Sequence, residues 1–241
     1  MTNNQSILKA QSPAGLAEEY IVMSIWNNHY PPGSDLPAER ELAERIGVTR
    51  TTLREVLQRL ARDGWLNIQH GKPTKVNNVW ETAGPNIIGT LIKLDKSTVP
   101  TIISNVVSLR TRMGEHYIPE AIKMDSVSSL KLFESLPNLQ DDENSFADFD
   151  YHLYRSFTFV AQKPVYGLIL NSFKDLYHKV AILFFSEKKS RKFTLSFYHN
   201  LAECCKNGDY QKAAKYLSDN KERSAEIWKS MLNQLPDNFG E

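Results

Sequence analysis

The chain has 241 residues, 41% hydrophobic and 24% charged, and its 29 Lys and Arg against 28 Asp and Glu leave a net charge of only +1. These values are ordinary for a globular protein with room for two domains. No apolar run reaches membrane-spanning length and the opening MTNNQS has no signal-peptide core, so a membrane span is excluded and a cytoplasmic location is expected.

Taken in chain order, the first predicted element is a helix from about Ser12 to Asn28, with Ala17, Ile21, Ser24 and Ile25 at helical spacing and the turn His29-Tyr30-Pro31-Pro32-Gly33 after it. Pro37 suits the first turn of a second helix, in which Leu42, Ala43 and Ile46 repeat before Gly47 stops it. Thr49 is placed to cap a third helix. Its apolar stripe is Leu53, Val56, Leu57 and Leu60, and Arg50, Thr51, Arg54 and Gln58 turn elsewhere. After Gly64, alternation through Trp65 to Gln69 breaks at His70-Gly71-Lys72-Pro73 and resumes at Thr74, Lys75 and Val76, which predicts a two-stranded wing with a basic tip.

Three helices and a wing make a winged helix-turn-helix, and its charge distribution implies DNA. Residues 40 to 75 hold eight Lys and Arg against four acids, whereas residues 1 to 39 hold Lys9 against Glu18, Glu19, Asp35 and Glu39. The near-neutral total thus conceals a local basic patch. Arg50 and Arg54, four apart on one face, are the expected base readers, because arginine can form two parallel bonds to guanine from a helix entering the major groove. Thr49, Thr51 and Thr52 sit where hydroxyls and amides at a helix start meet phosphates. Lys72 can neutralise a phosphate, Gly71 permits close backbone approach, and His70 can donate to a base or phosphate. Arg59 and Arg62 are expected to be solvent or interdomain residues.

The segment 79 to 99, with two glycines and one proline and with Pro100 directly after it, reads as a linker containing at most a short helix. From Pro100 onward the period is helical and strand signals are absent, so the expected architecture is mostly α: a DNA-binding domain over 1–78, a linker over 79–99 and an all-helical bundle over 100–241. Breaks are expected at Pro119, at Leu136 through Asn144, at Gln162-Lys163-Pro164, at Ser186 through Ser190 and at Asn207-Gly208. The acidic run Asp141, Asp142, Glu143 reads as a solvated loop, and the adjacent Cys204 and Cys205 as buried helix residues. Phe173, Leu176, Tyr177, Val180 and Phe184 repeat at helical spacing and read first as core. Arg110, among Val106, Val107, Leu109 and Met113, needs an anionic or polar partner if it is buried.

The run LPAERELAERIGVTRTTLREVLQRLARDGWL resembles the signature of the GntR family of regulators. QSPAGLAEEYI, SIWNN, QHGKPTKVNN, SLRT, PVYGLILN, FYH and EIW extend the similarity, in order, to that family's fatty-acid-responsive branch. The resemblance covers nearly the whole chain and is loosest between about Glu115 and Ser145. It implies a homodimeric transcription factor on an inverted-repeat operator, repressing fatty acid degradation genes and activating unsaturated fatty acid synthesis genes. Release by long-chain acyl-CoA, with no cofactor, is implied as well. It adds Arg40 to the DNA contacts and implies a ligand set of Arg110, Thr111, Tyr154, Tyr177, Tyr198, Ser224 and Trp228. Lys221 and Ala225 depart from the smaller, glycine-containing sequence expected beside Ser224.

Other function classes fit less well. Many relatives of such a helical domain hold a divalent metal and a carboxylate through an Asp, a His four residues on and two further His. Here Asp150 is followed at that spacing by Tyr154, His199 fits the second histidine, and Asp219-Asn220 stands near the third. That set is too poor for zinc, so a metal-dependent carboxylate sensor is the alternative, and His199 is expected to be a hydrogen-bonding pocket or core residue. No nucleophile elbow, Walker loop or dinucleotide glycine motif supports an enzyme. A nucleoid-packaging protein would not need so large an aromatic-rich helical domain.

Overall fold

In the computed structural model, residues 12–231 are described, and the chain divides into two compact units at Ile87/Ile88. The opening MTNNQS, read as lacking a signal-peptide core, and the last ten residues of the expected bundle lie outside the described residues.

The first unit opens with α1, Pro13–Trp26, where Ser12 caps the helix by accepting from Gly15 N and Ala17, Ile21, Val22, Ser24 and Ile25 are buried. Helix α2, Glu39–Ile46, ends at Gly47 in the left-handed conformation (φ 81°), and α3, Arg50–Arg62, buries Leu53, Val56, Leu57 and Leu60. Strands β1, Leu66–Asn67, and β2, Lys75–Val76, pair antiparallel with Leu66 opposite Val76. The segment entering α2 extends this ribbon: Gly33 N donates to Val76 O, Val76 N to Ser34 O and Leu36 N to Thr74 O. The root of the wing is thereby fixed to the start of α2, a pairing that hydrophobic alternation could not announce because it is too short to alternate.

The expected linker is largely helical. Helix α4, Val79–Thr82, belongs to the first unit, where the Thr82 hydroxyl donates to Gly64 O at 2.7 Å and Trp80 meets Trp26 with ring centroids 6.4 Å apart. A 3-10 turn at Pro85–Ile87 follows. Helix α5, Ile88–Leu94, opens the second unit, where Ile92 joins the bundle core.

A further 3-10 turn, Lys96–Thr98, leads into α6, Val99–Met124, the longest described helix, which runs through Pro119 without the expected break. Tyr117, Ile118, Ala121 and Ile122, on both sides of the proline, are at most 1% exposed. Burying large apolar side chains contributes about 1.5–3 kcal/mol each, which outweighs the roughly 3 kcal/mol cost of an internal proline. Helix α7, Ser126–Lys131, and a 3-10 turn, Leu136–Asn138, precede α8, Glu143–Val160. The acidic run is not merely solvated: Asp142 caps α8 by accepting from Ser145 N at 2.9 Å, and Asp141 pairs with Arg191 at 2.7 Å. Helices α9, Pro164–Ser172, and α10, Lys174–Ser186, are split at Phe173, where a single continuous helix was expected. Phe173 is buried in the core, so the bend is held by packing. Helix α11, Lys188–Asn207, ends at Gly208 in the left-handed conformation, and α12, Tyr210–Met231, closes the bundle. Cys204 and Cys205 are free and buried in α11. No described helix is long and apolar enough to cross a membrane.

Candidate functional site

In the first unit, the expected DNA-facing residues lie on α2, α3 and the wing. Thr49 caps α3 by accepting from Thr52 N at 3.1 Å, so its hydroxyl is already oriented toward the helix start. Arg50, Thr51 and Arg54 are exposed and Thr52 is half-buried. Arg54 is held by Glu39 at 2.9 Å, and Arg40 lies 3.8 Å from Glu44. His70, Gly71 and Lys72 are exposed at the wing tip; Gly71 takes φ 71° and Lys72 Nζ donates to Gln69 Oε1 at 3.0 Å. The positive φ explains the glycine, since an L side chain there is strained. Arg59 faces α1, pairing with Glu18 at 3.0 Å, and Arg62 is exposed beside Asp63.

In the second unit a cavity of about 530 Å³ is walled by α6, α10, α11 and α12, with Asp150 of α8. Arg110, Thr111, Tyr177, Ser224 and Trp228 of the expected ligand set line it. Val180 and Phe184, read first as core, also line it, whereas Phe173 and Leu176 lie in the core. Phe184 stacks on Trp228 with centroids 5.5 Å apart. Tyr154 and Tyr198 do not line the cavity; they sit behind it and hold the residues that do.

The polar part is organised by Asp150, which was not among the expected ligand residues. The partner that Arg110 requires is this carboxylate: Arg110 Nη2 donates to Asp150 Oδ2 and Arg110 Nε to the Tyr177 hydroxyl at 2.5 Å. The Tyr177 hydroxyl in turn donates to Asp150 Oδ2 at 2.5 Å, and the Tyr198 hydroxyl donates to Asp150 Oδ1 at 2.7 Å. The guanidinium carbon lies 3.6 Å from the centroid of the Tyr154 ring. Burial opposes the charge on Arg110, but Asp150 together with Tyr154 and Tyr177 outweighs it and holds the arginine pKa well above its ordinary value. Burial, reinforced by the Asp150 charge, raises the Tyr177 and Tyr198 pKa values well above the usual phenol, so both remain donors. The Thr111 hydroxyl is tied to the Val107 carbonyl of its own helix turn.

This arrangement does not suit a metal. Both Asp150 oxygens are occupied by a cation and two phenols, and no group of three His, Cys, Asp or Glu among the described residues could hold an ion. His199, expected as a pocket or core residue, is exposed. The buried face of α11 runs through Thr194, Phe197, Tyr198 and Leu201, and the next residue after Tyr198 is carried about 100° further round, out of that stripe. Asp150 was recognisable as the aspartate of the metal pattern, and Tyr154 in place of histidine was the signal that its partner had changed.

Residues 77–240 match the family described as "FadR C-terminal domain", and residues 14–76 match "Bacterial regulatory proteins, gntR family". The fatty acid metabolism regulator protein of Haemophilus influenzae (strain PittGG) is 55% identical over 241 residues, covering 100% of both chains. That of Pasteurella multocida (strain Pm70) is 54% identical with the same coverage. That of Klebsiella pneumoniae (strain 342) is 51% identical over 230 residues, 95% of this chain and 96% of the relative. With an exposed basic helix in one unit, a lined cavity in the other and the two family descriptions together covering residues 14–240, the chain belongs to the GntR family of bacterial transcription regulators, in the branch with the FadR C-terminal domain, and is not an enzyme.

Proposed function

We propose that the protein is a cytoplasmic, homodimeric transcription factor of fatty acid metabolism that binds an inverted-repeat operator and leaves it when long-chain acyl-CoA occupies the helical domain. Its reading residues are Arg50 and Arg54, with Arg40, Thr49, Thr51, Thr52, His70, Gly71 and Lys72 on the backbone and groove. Repression of degradation genes and activation of unsaturated fatty acid synthesis genes follow from the same operator occupancy at different promoters.

The observation that carries the ligand assignment is the cavity. At about 530 Å³ it has the size of a small-molecule site, with Val106, Val107, Val180, Phe184 and Trp228 for an apolar chain. Arg110 and Ser224 supply the polar groups for a thioester, Thr111 and Tyr177 adjoin them, and Tyr154 and Tyr198 hold Arg110 and Asp150 from behind. No cofactor enters this scheme.

Operator binding, measured by fluorescence anisotropy at fixed salt, is expected to weaken ten- to a hundredfold with palmitoyl-CoA, a coupling of about 1.4–2.7 kcal/mol. Operator DNA must weaken palmitoyl-CoA binding by the same factor. Release by free coenzyme A alone, or no calorimetric heat with a sixteen- or eighteen-carbon acyl-CoA, would remove the ligand assignment.

A further inference from the structure

Arg110 and Gly114 lie four residues apart on α6, one above the other on the same helix face. The ring of Tyr154, from α8, covers both. Its face receives the Arg110 guanidinium carbon 3.6 Å from the centroid, and its edge lies against Gly114. A Cβ built at Gly114 would stand 2.7 Å from Tyr154 Cε1 and 3.3 Å from Tyr154 Cδ1. The ring therefore keeps its place only because residue 114 has no side chain. Gly114 is helical and buried, so no turn requires it, and glycine inside a helix is destabilising relative to alanine. The close approach of the ring is what accounts for it.

Tyr154 has little room to yield. It is 1% exposed, its carbonyl accepts from the Tyr117 hydroxyl at 3.0 Å, and Ile118 Cδ1 would lie 3.5 Å from the same built Cβ. The Tyr154 hydroxyl is buried without a hydrogen-bond partner among the described residues, so the position uses the ring and not the polar tip. The bonds from Arg110 to Asp150 and Tyr177 run in the guanidinium plane and hold its edge. They leave the plane free to tilt, and the ring lying flat against it removes that freedom.

We propose that Gly114 is a positioning residue of the ligand site: by admitting the Tyr154 ring against α6, it fixes the plane in which Arg110 faces the cavity. Gly114 does not line the cavity and touches no ligand. Tyr154 likewise acts through Arg110 and not by contact with the bound molecule. The inference rests on the acyl-CoA reading and deepens it. An arginine ordered before binding spares the complex the entropy of ordering it afterwards.

The test is calorimetry with palmitoyl-CoA on the full-length protein and on Gly114→Ala, Tyr154→Leu, Tyr154→Phe and the two double variants that combine Gly114→Ala with each Tyr154 change. Gly114→Ala is expected to weaken palmitoyl-CoA binding about three- to tenfold, the scale of ordering one long side chain, with operator affinity in the absence of ligand unchanged. Tyr154→Leu should weaken it similarly, and the conservative Tyr154→Phe, which keeps the ring, should restore it. In the Leu background Gly114→Ala should have no further effect on ligand affinity, because the ring through which it acts is gone; in the Phe background its effect should remain. If Gly114→Ala alone does not fold, the Leu double variant, which vacates space for the methyl group, carries the test and should bind like Tyr154→Leu. A Gly114→Ala loss that persists in the Leu background would overturn the inference, as would a Tyr154→Phe variant as weak as Tyr154→Leu. If the parent itself gives no heat with palmitoyl-CoA, the acyl-CoA reading falls and the Gly114 assignment with it; if the parent binds and Gly114→Ala melts lower yet binds equally, the glycine is merely structural and its assignment falls alone.

Discussion

Arg50 and Arg54 share an exposed face of α3 but start from different states. Arg54 is already held by Glu39 at 2.9 Å, whereas Arg50 has no ion pair among the described residues. Arg50→Ala should cost about 1–3 kcal/mol on the cognate operator and much less on random DNA. Arg54→Ala should cost less than Arg50→Ala, because reading a base first requires leaving Glu39. Anisotropy titrations on both DNAs decide this, and an equal loss on operator and random sequence would make the two arginines phosphate contacts. In the cavity, Asp150→Ala strands a largely buried guanidinium and should lower unfolding stability by about 3–5 kcal/mol in urea titration. For the same reason Ser224→Asn, which leaves the Arg110 pair intact, is the cleaner test of ligand response: operator binding should persist and release by palmitoyl-CoA should be lost. The need of Arg110 for a partner was legible from the apolar residues around it. The identity of that partner was not, because Asp150 lies 40 positions away and local spacing carries no information about which helices meet.

At the scale of elements, two glycines with similar backbone angles should respond differently. Gly47 has φ 81° and open space around a built Cβ, so Gly47→Ala should cost only the left-handed penalty of about 1–2 kcal/mol. Gly64 has φ 90°, and a Cβ there would lie 2.7 Å from Ala83 Cα and Thr82 O. Gly64→Ala must therefore also displace α4 and should cost about 2–5 kcal/mol, seen by denaturation and by faster amide exchange at Thr82 and Ala83. The bundle has its own pH signature. Tyr177 and Tyr198 have pKa values raised by burial and by Asp150, and burial pushes Cys205 up to about 12. Groups raised in the folded state stabilise it fully below their unfolded pKa and lose that contribution as pH rises toward the folded value. Stability should thus hold below about pH 8.5, where the unfolded thiol begins to ionise, and fall steeply above about pH 10 as the unfolded phenols do. Helix existence was readable from period and caps, as at Thr49, Gly47 and Gly208. Continuity was not: Pro119 lies inside a helix and Phe173 interrupts one, because in both places core burial decides against local preference.

For the whole molecule, a single reading helix covers only a few base pairs, so an inverted-repeat operator calls for two copies, and sedimentation without DNA should show a dimer. A monomer at micromolar concentration, one per operator, would contradict this. Chelator treatment should leave release by palmitoyl-CoA unchanged; release lost on chelation and restored by zinc would reverse the assignment of Asp150 to Arg110. The chain divides into two compact units at Ile87/Ile88, and the stretch read as a linker with at most a short helix carries α4, a 3-10 turn and α5, because glycine and proline there mark turns between short helices. The Arg110–Asp150 pair also bears on how this branch can change over time. Either charge replaced alone leaves the other buried and unpaired, whereas replacing both with apolar residues of similar volume is often neutral for folding. Single steps away from the pair are therefore barred by stability while the double step is not, and the two positions should drift together or not at all.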